Sequence, residues 1–140
     1  MNTRGLRNNN PLNIRIGNHW MGEVLHPTDP QFEQFVSLDF GLRAGFSIIR
    51  RYIIHYKRDT VAKIISSWAP DSENNTAAYI SQACVLSGLK CDEILSWNDR
   101  EKMVSLVCAM CKIECGFTIR REVVANVYDK YFFNRKRNEN

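Results

Sequence analysis

The chain has 140 residues, 44% of them hydrophobic and 24% charged, with a formal net charge of +4. That length holds one ordinary domain around one core, and the composition excludes a disordered chain. No window has the unbroken apolar run of a membrane span, and no apolar stretch follows the basic start Arg4-Gly5-Leu6-Arg7, so neither membrane insertion nor a cleavable signal peptide is expected.

Residues 1–38 read as a loop-rich segment. Asn8-Asn9-Asn10-Pro11, Gly17, Gly22, Pro27 and Pro30 are turn formers and helix breakers. Leu12, Ile14, Ile16, Trp20, Val24, Leu25, Phe32 and Phe35 are interleaved with them, so the segment must pack on something. Residues 14–16 and 32–36 have the pattern of two short strands, an ordered flap or small β-hairpin over a helical body.

From Asp39 the apolar spacing turns helical, with Leu42, Phe46, Ile49, Ile53 and Tyr56 as one stripe. The opposite face carries Arg43, Arg50, Arg51, Lys57 and Arg58, a solvated face or the wall of a groove for an anionic polymer. Asp59 is the expected N-cap of a short helix that ends at Trp68-Ala69-Pro70. After the polar loop 71–75, a helix is expected over 76–87 with Ala77, Ile80, Ala83 and Cys84 inward, stopped by Gly88. Asn98 to Glu101 has the form of a capping box. The helix behind it, ending at Glu114-Cys115-Gly116, is the most apolar in the chain and the expected centre of the core. A last amphipathic helix is expected over 121–133. Residues 134–140 are expected to form a basic, flexible tail that holds Arg135-Lys136-Arg137. The fold class is therefore mainly α, a single domain spanning residues 1–140.

The mild positive charge suits an anionic partner: a cell-wall polymer, a nucleic acid or an acidic protein. Five cysteines, an odd number, argue against a complete disulfide framework. Cys108, Cys111 and Cys115 lie on one helix face, where free cysteine behaves as a small hydrophobe. With no ligand-like spacing among the three histidines, neither a metal site nor a cofactor is expected.

Three constellations could carry chemistry. Glu114 sits among Ile113, Cys115, Gly116 and Phe117 at the negative end of a helix. Apolar surroundings and the helix dipole both raise a carboxyl pKa. A carboxylic acid still protonated near neutral pH is what cleavage of a glycosidic bond requires. Read from position alone, an ordinary surface glutamate near a helix end is the favoured reading. The second constellation is Trp68-Ala69-Pro70 with Glu73, Asn74, Asn75 and Tyr79. Amides and exposed rings there suit a sugar, and Asn75 or Thr76 suits an N-cap. The third is the amide-rich run with Asn10, Asn13 and Arg15, leading to Trp20. It serves either to brace loops or to contact N-acetyl groups.

Taken in order, several motifs resemble a known family of phage-type structural proteins. They are Arg4-Gly5-x-Arg7-Asn8-Asn9-Asn10-Pro11-x-Asn13-Ile14-Arg15, Trp20-x-Gly22, Phe32-x-x-Phe35 and Gly41-x-Arg43-Ala44. Trp68-Ala69-Pro70-x-x-Glu73-Asn74-x-Thr76-x-x-Tyr79 and Glu114-x-Gly116 complete the set. Members are similar to lysozyme-like peptidoglycan hydrolases of virions and of bacterial antagonism systems. Leu12 stands where the family usually has glycine, and Cys115 where it often has asparagine. The resemblance implies a lysozyme-like helical domain that cleaves peptidoglycan glycan strands as a muramidase or lytic transglycosylase. It implies Glu114 as general acid. Glu73 is the first choice for a second carboxylate, with Glu33 and Asp39 as the others. Asn10, Asn13, Arg15, Trp20, Trp68, Asn74, Asn75 and Tyr79 are the expected substrate contacts.

The expected setting is synthesis in the cytoplasm and action at the cell wall after delivery by a phage or a type VI secretion machine. A periplasmic immunity protein is then a further partner, whereas nucleic acid is not expected. The alternative is a non-catalytic virion structural or cell-wall-binding protein using the same groove.

Overall fold

The computed structural model describes residues 3–133. Its helices are α1 (Arg4–Arg7), α2 (Leu38–Tyr56), α3 (Val61–Trp68), α4 (Thr76–Ser87), α5 (Arg100–Cys115) and α6 (Arg121–Tyr128). A π-helical turn, Asp129–Phe133, continues α6. The fold is mainly α, as expected, and the basic tail at 134–140 lies outside the described residues.

α5 forms the centre and packs on α4, α6 and α1. Met103, Val104, Leu106, Val107, Met110 and Cys111 of α5 are all fully buried. On α2 the expected stripe is inward at Leu42, Phe46, Ile49 and Ile53, but Tyr56 is exposed. It is the last helical residue, and Lys57 then turns left-handed at φ 52° and takes the chain away from the core. Phe46 packs against Trp97 and Tyr128, and the Tyr128 hydroxyl donates to the Trp97 carbonyl at 2.7 Å.

The helix starts are shifted by one residue from two expectations. Thr60, not Asp59, caps α3, its hydroxyl accepting from Lys63 N–H at 3.1 Å. Asp99, not Asn98, caps α5, accepting from Lys102 N–H at 3.2 Å. Asn75 caps α4 as anticipated, while Thr76 donates its hydroxyl to the Ala69 carbonyl. The buried face of α4 is Thr76, Tyr79 and Ala83, with Ala77 exposed and Ile80 half-buried. Cys84 is drawn to the edge of the core by a disulfide to Cys91, leaving Cys108, Cys111 and Cys115 free.

The N-terminal segment forms no regular strand among the described residues. The expected hairpin is reduced to isolated antiparallel bridges, Arg15 with Phe32 and Glu23 with Phe35. Asparagine side chains supplement the few backbone bonds across these bridges. Asn10 is fully buried, and its amide nitrogen donates to the Ile14 and Glu33 carbonyls at 2.9 and 3.0 Å. Its oxygen accepts from Ile14 N–H at 2.9 Å. Asn9 donates to the Phe35 carbonyl, and Asn8 joins Asp29 and Gln34. Asp29 is also gripped by both ends of the Arg4 guanidinium at 2.7 Å.

This segment lies against α2 at two glycines one turn apart. A Cβ on Gly41 would stand 2.0 Å from the Asn9 carbonyl oxygen, and one on Gly45 would stand 2.1 Å from Leu12 Cδ1. Leu12, the departure from the family's usual glycine, is fully buried in that seat. The close approach is what brings the next residue, Asn13, over the end of α5.

Candidate active site

Four elements converge on one carboxyl. Glu114 is the penultimate residue of α5, Trp68 the last of α3, Tyr79 lies in the first turn of α4, and Asn13 follows the tight Asn10–Asn13 turn. Asn13 is left-handed, φ 52°, a conformation asparagine tolerates better than most residues. Its amide nitrogen donates to the Glu114 carbonyl at 3.0 Å and to Oε1 at 3.3 Å. Trp68 Nε1–H and the Tyr79 hydroxyl both donate to Oε2, at 3.2 and 2.9 Å.

The electrostatics of this carboxyl are a contest. Burial pushes the Glu114 pKa up; the hydrogen bonds from Tyr79, Asn13 and Trp68 and the charge of Arg15 pull it down; burial wins. The position at the negative end of α5 works in the same direction as burial. Tyr79 is pushed well above the ordinary phenol value by its own burial and then by Glu114, so it stays a donor. The group that results is a half-buried carboxyl, easily protonated, with its orientation fixed from three sides.

No family model matches the chain. Over 117 residues it is 40% identical to "Protein P5" of Pseudoalteromonas phage PM2, an alignment covering 81% of this chain and 71% of that protein. The chain belongs to the Protein P5 family. The phage side of the sequence resemblance therefore stands, and the name of this relative states no activity.

In this Protein P5 family member the residues singled out from sequence fall into three groups. Asn13, Trp68 and Tyr79 meet at Glu114, and Arg15 acts on it through its charge. Two expectations for these residues need correcting. Tyr79 is 8% exposed, so its ring is no open platform for a sugar. Asn10, expected as a substrate contact, is fully buried with both ends of its amide bonded to backbone. It braces the flap and has no free face for a ligand.

The second group stays at the surface. Glu73 and Asn74 are exposed on the loop between α3 and α4, and the Asn74 amide turns back to the Pro70 carbonyl at 3.4 Å. Asn75 is exposed but occupied as the α4 cap, and Asp39 is exposed in the first turn of α2. Neither Glu73 nor Asp39 is among the groups acting on Glu114. Arg15 is exposed, with its guanidinium 5.0 Å over the Phe32 ring.

The third group lies within the flap. Trp20 is half-buried, its Nε1 has no partner, and its backbone N–H donates to Glu23 Oε1 at 3.1 Å. Glu33 is buried beside Glu23. Sequence reading missed Glu23 because nothing local marks a glutamate between Gly22 and Val24; its pairing arises only when the flap folds back. Cys115, at the position where asparagine is common in the resembling family, is buried and would stand 3.2 Å from a Cβ on Gly5. No group of three or more His, Cys, Asp or Glu residues suited to a metal ion occurs among the described residues.

Proposed function

We propose that this Protein P5 family member cleaves the glycan strands of peptidoglycan as a lytic transglycosylase, with Glu114 as general acid and then general base. The observation that carries the reading is the carboxyl itself: half-buried, raised in pKa and oriented by Asn13, Trp68 and Tyr79. In the first step the Glu114 proton passes to the glycosidic oxygen as the C1–O bond breaks. The Glu114 carboxylate then accepts the proton of the sugar's own 6-hydroxyl as that oxygen closes on C1. No water is consumed, and the product carries an anhydro ring.

The groups acting on Glu114 are neutral donors and Arg15, with no carboxylate among them. That fits a single-carboxyl route, in which Glu114 serves as acid and then base; a muramidase would use a second carboxylate across the bond. Under this reading the fold is the lysozyme-like helical domain that the sequence resembles. Its setting is the cell wall, reached by phage or secretion-system delivery, with a periplasmic immunity protein as partner in the latter case. The experiment is a digest of purified sacculi with analysis of the fragment ends.

One observation favours the other reading, a non-catalytic virion structural or cell-wall-binding protein. Both Glu114 oxygens already accept hydrogen bonds, which is also how a purely structural buried carboxylate is satisfied. Glycan binding without release of fragments is the mark of that alternative.

A further inference from the structure

Glu33 is 8% exposed, and its Oε2 is buried with no protein donor on it. The charged side chain facing it is Glu23, from the other limb of the flap, within hydrogen-bonding reach. From the turn beside them, the backbone N–H groups of Gly17 and Asn18 also face the Glu33 carboxyl. Neither glutamate has an ion-pair partner among the described residues. Glu33 is buried and Glu23 half-buried beside it, so a charge on Glu33 is disfavoured by both burial and repulsion, whereas a protonated Glu33 can donate to Glu23. The observed packing therefore favours a proton on Glu33.

The main chain of Glu33 is the junction of the flap. Its N–H donates to the Ile14 carbonyl at 2.9 Å, and its own carbonyl accepts from Asn10 at 3.0 Å. Ile14 directly follows Asn13, whose amide holds Glu114.

We propose that Glu33, paired with Glu23, is a positioning residue that closes residues 15–36 on residues 10–14 and so backs Asn13 against Glu114. Its consequence for turnover rests on the reading of Glu114 as the reacting acid; its consequence for the flap does not. When both carboxyls are charged, Glu33 is drawn to water, the junction with Ile14 opens and Asn13 loses its support.

The sign follows from linkage. Burial, then the Glu23 charge, raises the Glu33 pKa to about 7 in the closed flap, against an ordinary value of 4.5. Between those values the open flap binds fewer protons than the closed one. Opening therefore grows about tenfold per pH unit across that window and levels off above it.

The test is amide hydrogen exchange of the wild type and Glu33→Gln from about pH 5 to 8, spanning the ordinary and raised carboxyl ranges. The reporters are the bonded N–H groups of Ile16, Val24, residue 33 and Val36, with α5 amides as reference. After correction for intrinsic rates, wild-type flap protection falls about tenfold per unit up to about pH 7 relative to α5. Glu33→Gln, which cannot ionise, shows no such fall. If Glu33→Gln does not fold, Glu23→Gln gives the second comparison, with a narrower window ending at lower pH. Flat wild-type protection, an equal fall in Glu33→Gln, or a Glu23→Gln window that still ends at about pH 7 overturns the proposal. Sacculus cleavage measured alongside separates the two ideas: absence of turnover in every protein sinks the transglycosylase reading, and exchange still decides the role of Glu33.

Discussion

One amide nitrogen of Asn13 serves Glu114 twice, 3.0 Å from its backbone carbonyl and 3.3 Å from its carboxyl Oε1. The end of α5 and the orientation of its acid are thus fixed by the same side chain, from a segment 101 residues earlier in the chain. Asn13→Gly keeps the left-handed backbone and deletes only the amide. It should cost about 1–2 kcal/mol of stability and slow turnover about tenfold. A hydrogen bond to the charged form is lost, so the Glu114 pKa rises further, and the alkaline limb of the pH–rate profile should move to higher pH.

Tyr79→Phe removes the hydroxyl from Oε2 and keeps the buried ring. The Glu114 pKa should again rise, with a stability loss of about 0.5–1.5 kcal/mol in a thermal melt at neutral pH.

Glu114→Gln should raise stability at alkaline pH. The folded protein holds this carboxyl with a raised pKa, so its stabilising contribution is complete below the unfolded value and is lost as pH rises through the folded value. A glutamine carries no charge to desolvate. The Tm difference between variant and wild type should be small at acid pH and grow in favour of the variant as pH rises, a pattern that melts in matched buffers would read directly. A gain that shrinks with rising pH would contradict the burial account.

Asn10 and Asn74 look alike in sequence and differ in the fold. Asn10→Ala takes the partner from the Ile14 N–H and the Glu33 carbonyl inside the protein and should cost about 2–4 kcal/mol in chemical denaturation. Asn74→Ala, at an exposed loop, should stay within about 0.5 kcal/mol.

Gly41→Ala places a methyl 2.0 Å from the Asn9 carbonyl oxygen, which is backbone and cannot swing aside. The expected loss is about 1–3 kcal/mol or more by thermal melting. The flap amides should lose exchange protection before those of α5, because the segment is lifted off α2.

Much of the helical body was legible because apolar spacing, glycine stops and caps are local signals; α5 and the inward stripe of α2 follow from them directly. The rotation of α4 was not, since it depends on Thr76 reaching Ala69 and on the Cys84–Cys91 bridge. Strand-like alternation at 14–16 and 32–36 overstated the hairpin: only isolated antiparallel bridges form there, and the Asn10 side chain takes up the Ile14 N–H and the Glu33 carbonyl beside them. At the site, Glu114, Asn13, Trp68 and Tyr79 could each be named from sequence, but only tertiary contact turns three expected sugar contacts into donors on one acid. Glu23 carried no signal, because its meaning lies in a partner across the flap.

The most direct test is a digest of purified peptidoglycan sacculi with wild type beside Glu114→Gln, the released fragments resolved by mass spectrometry. The account predicts anhydromuramyl ends from the wild type and none from a folded Glu114→Gln protein. Equal release by both proteins, reducing muramic ends, or no soluble fragments from folded wild type would contradict it.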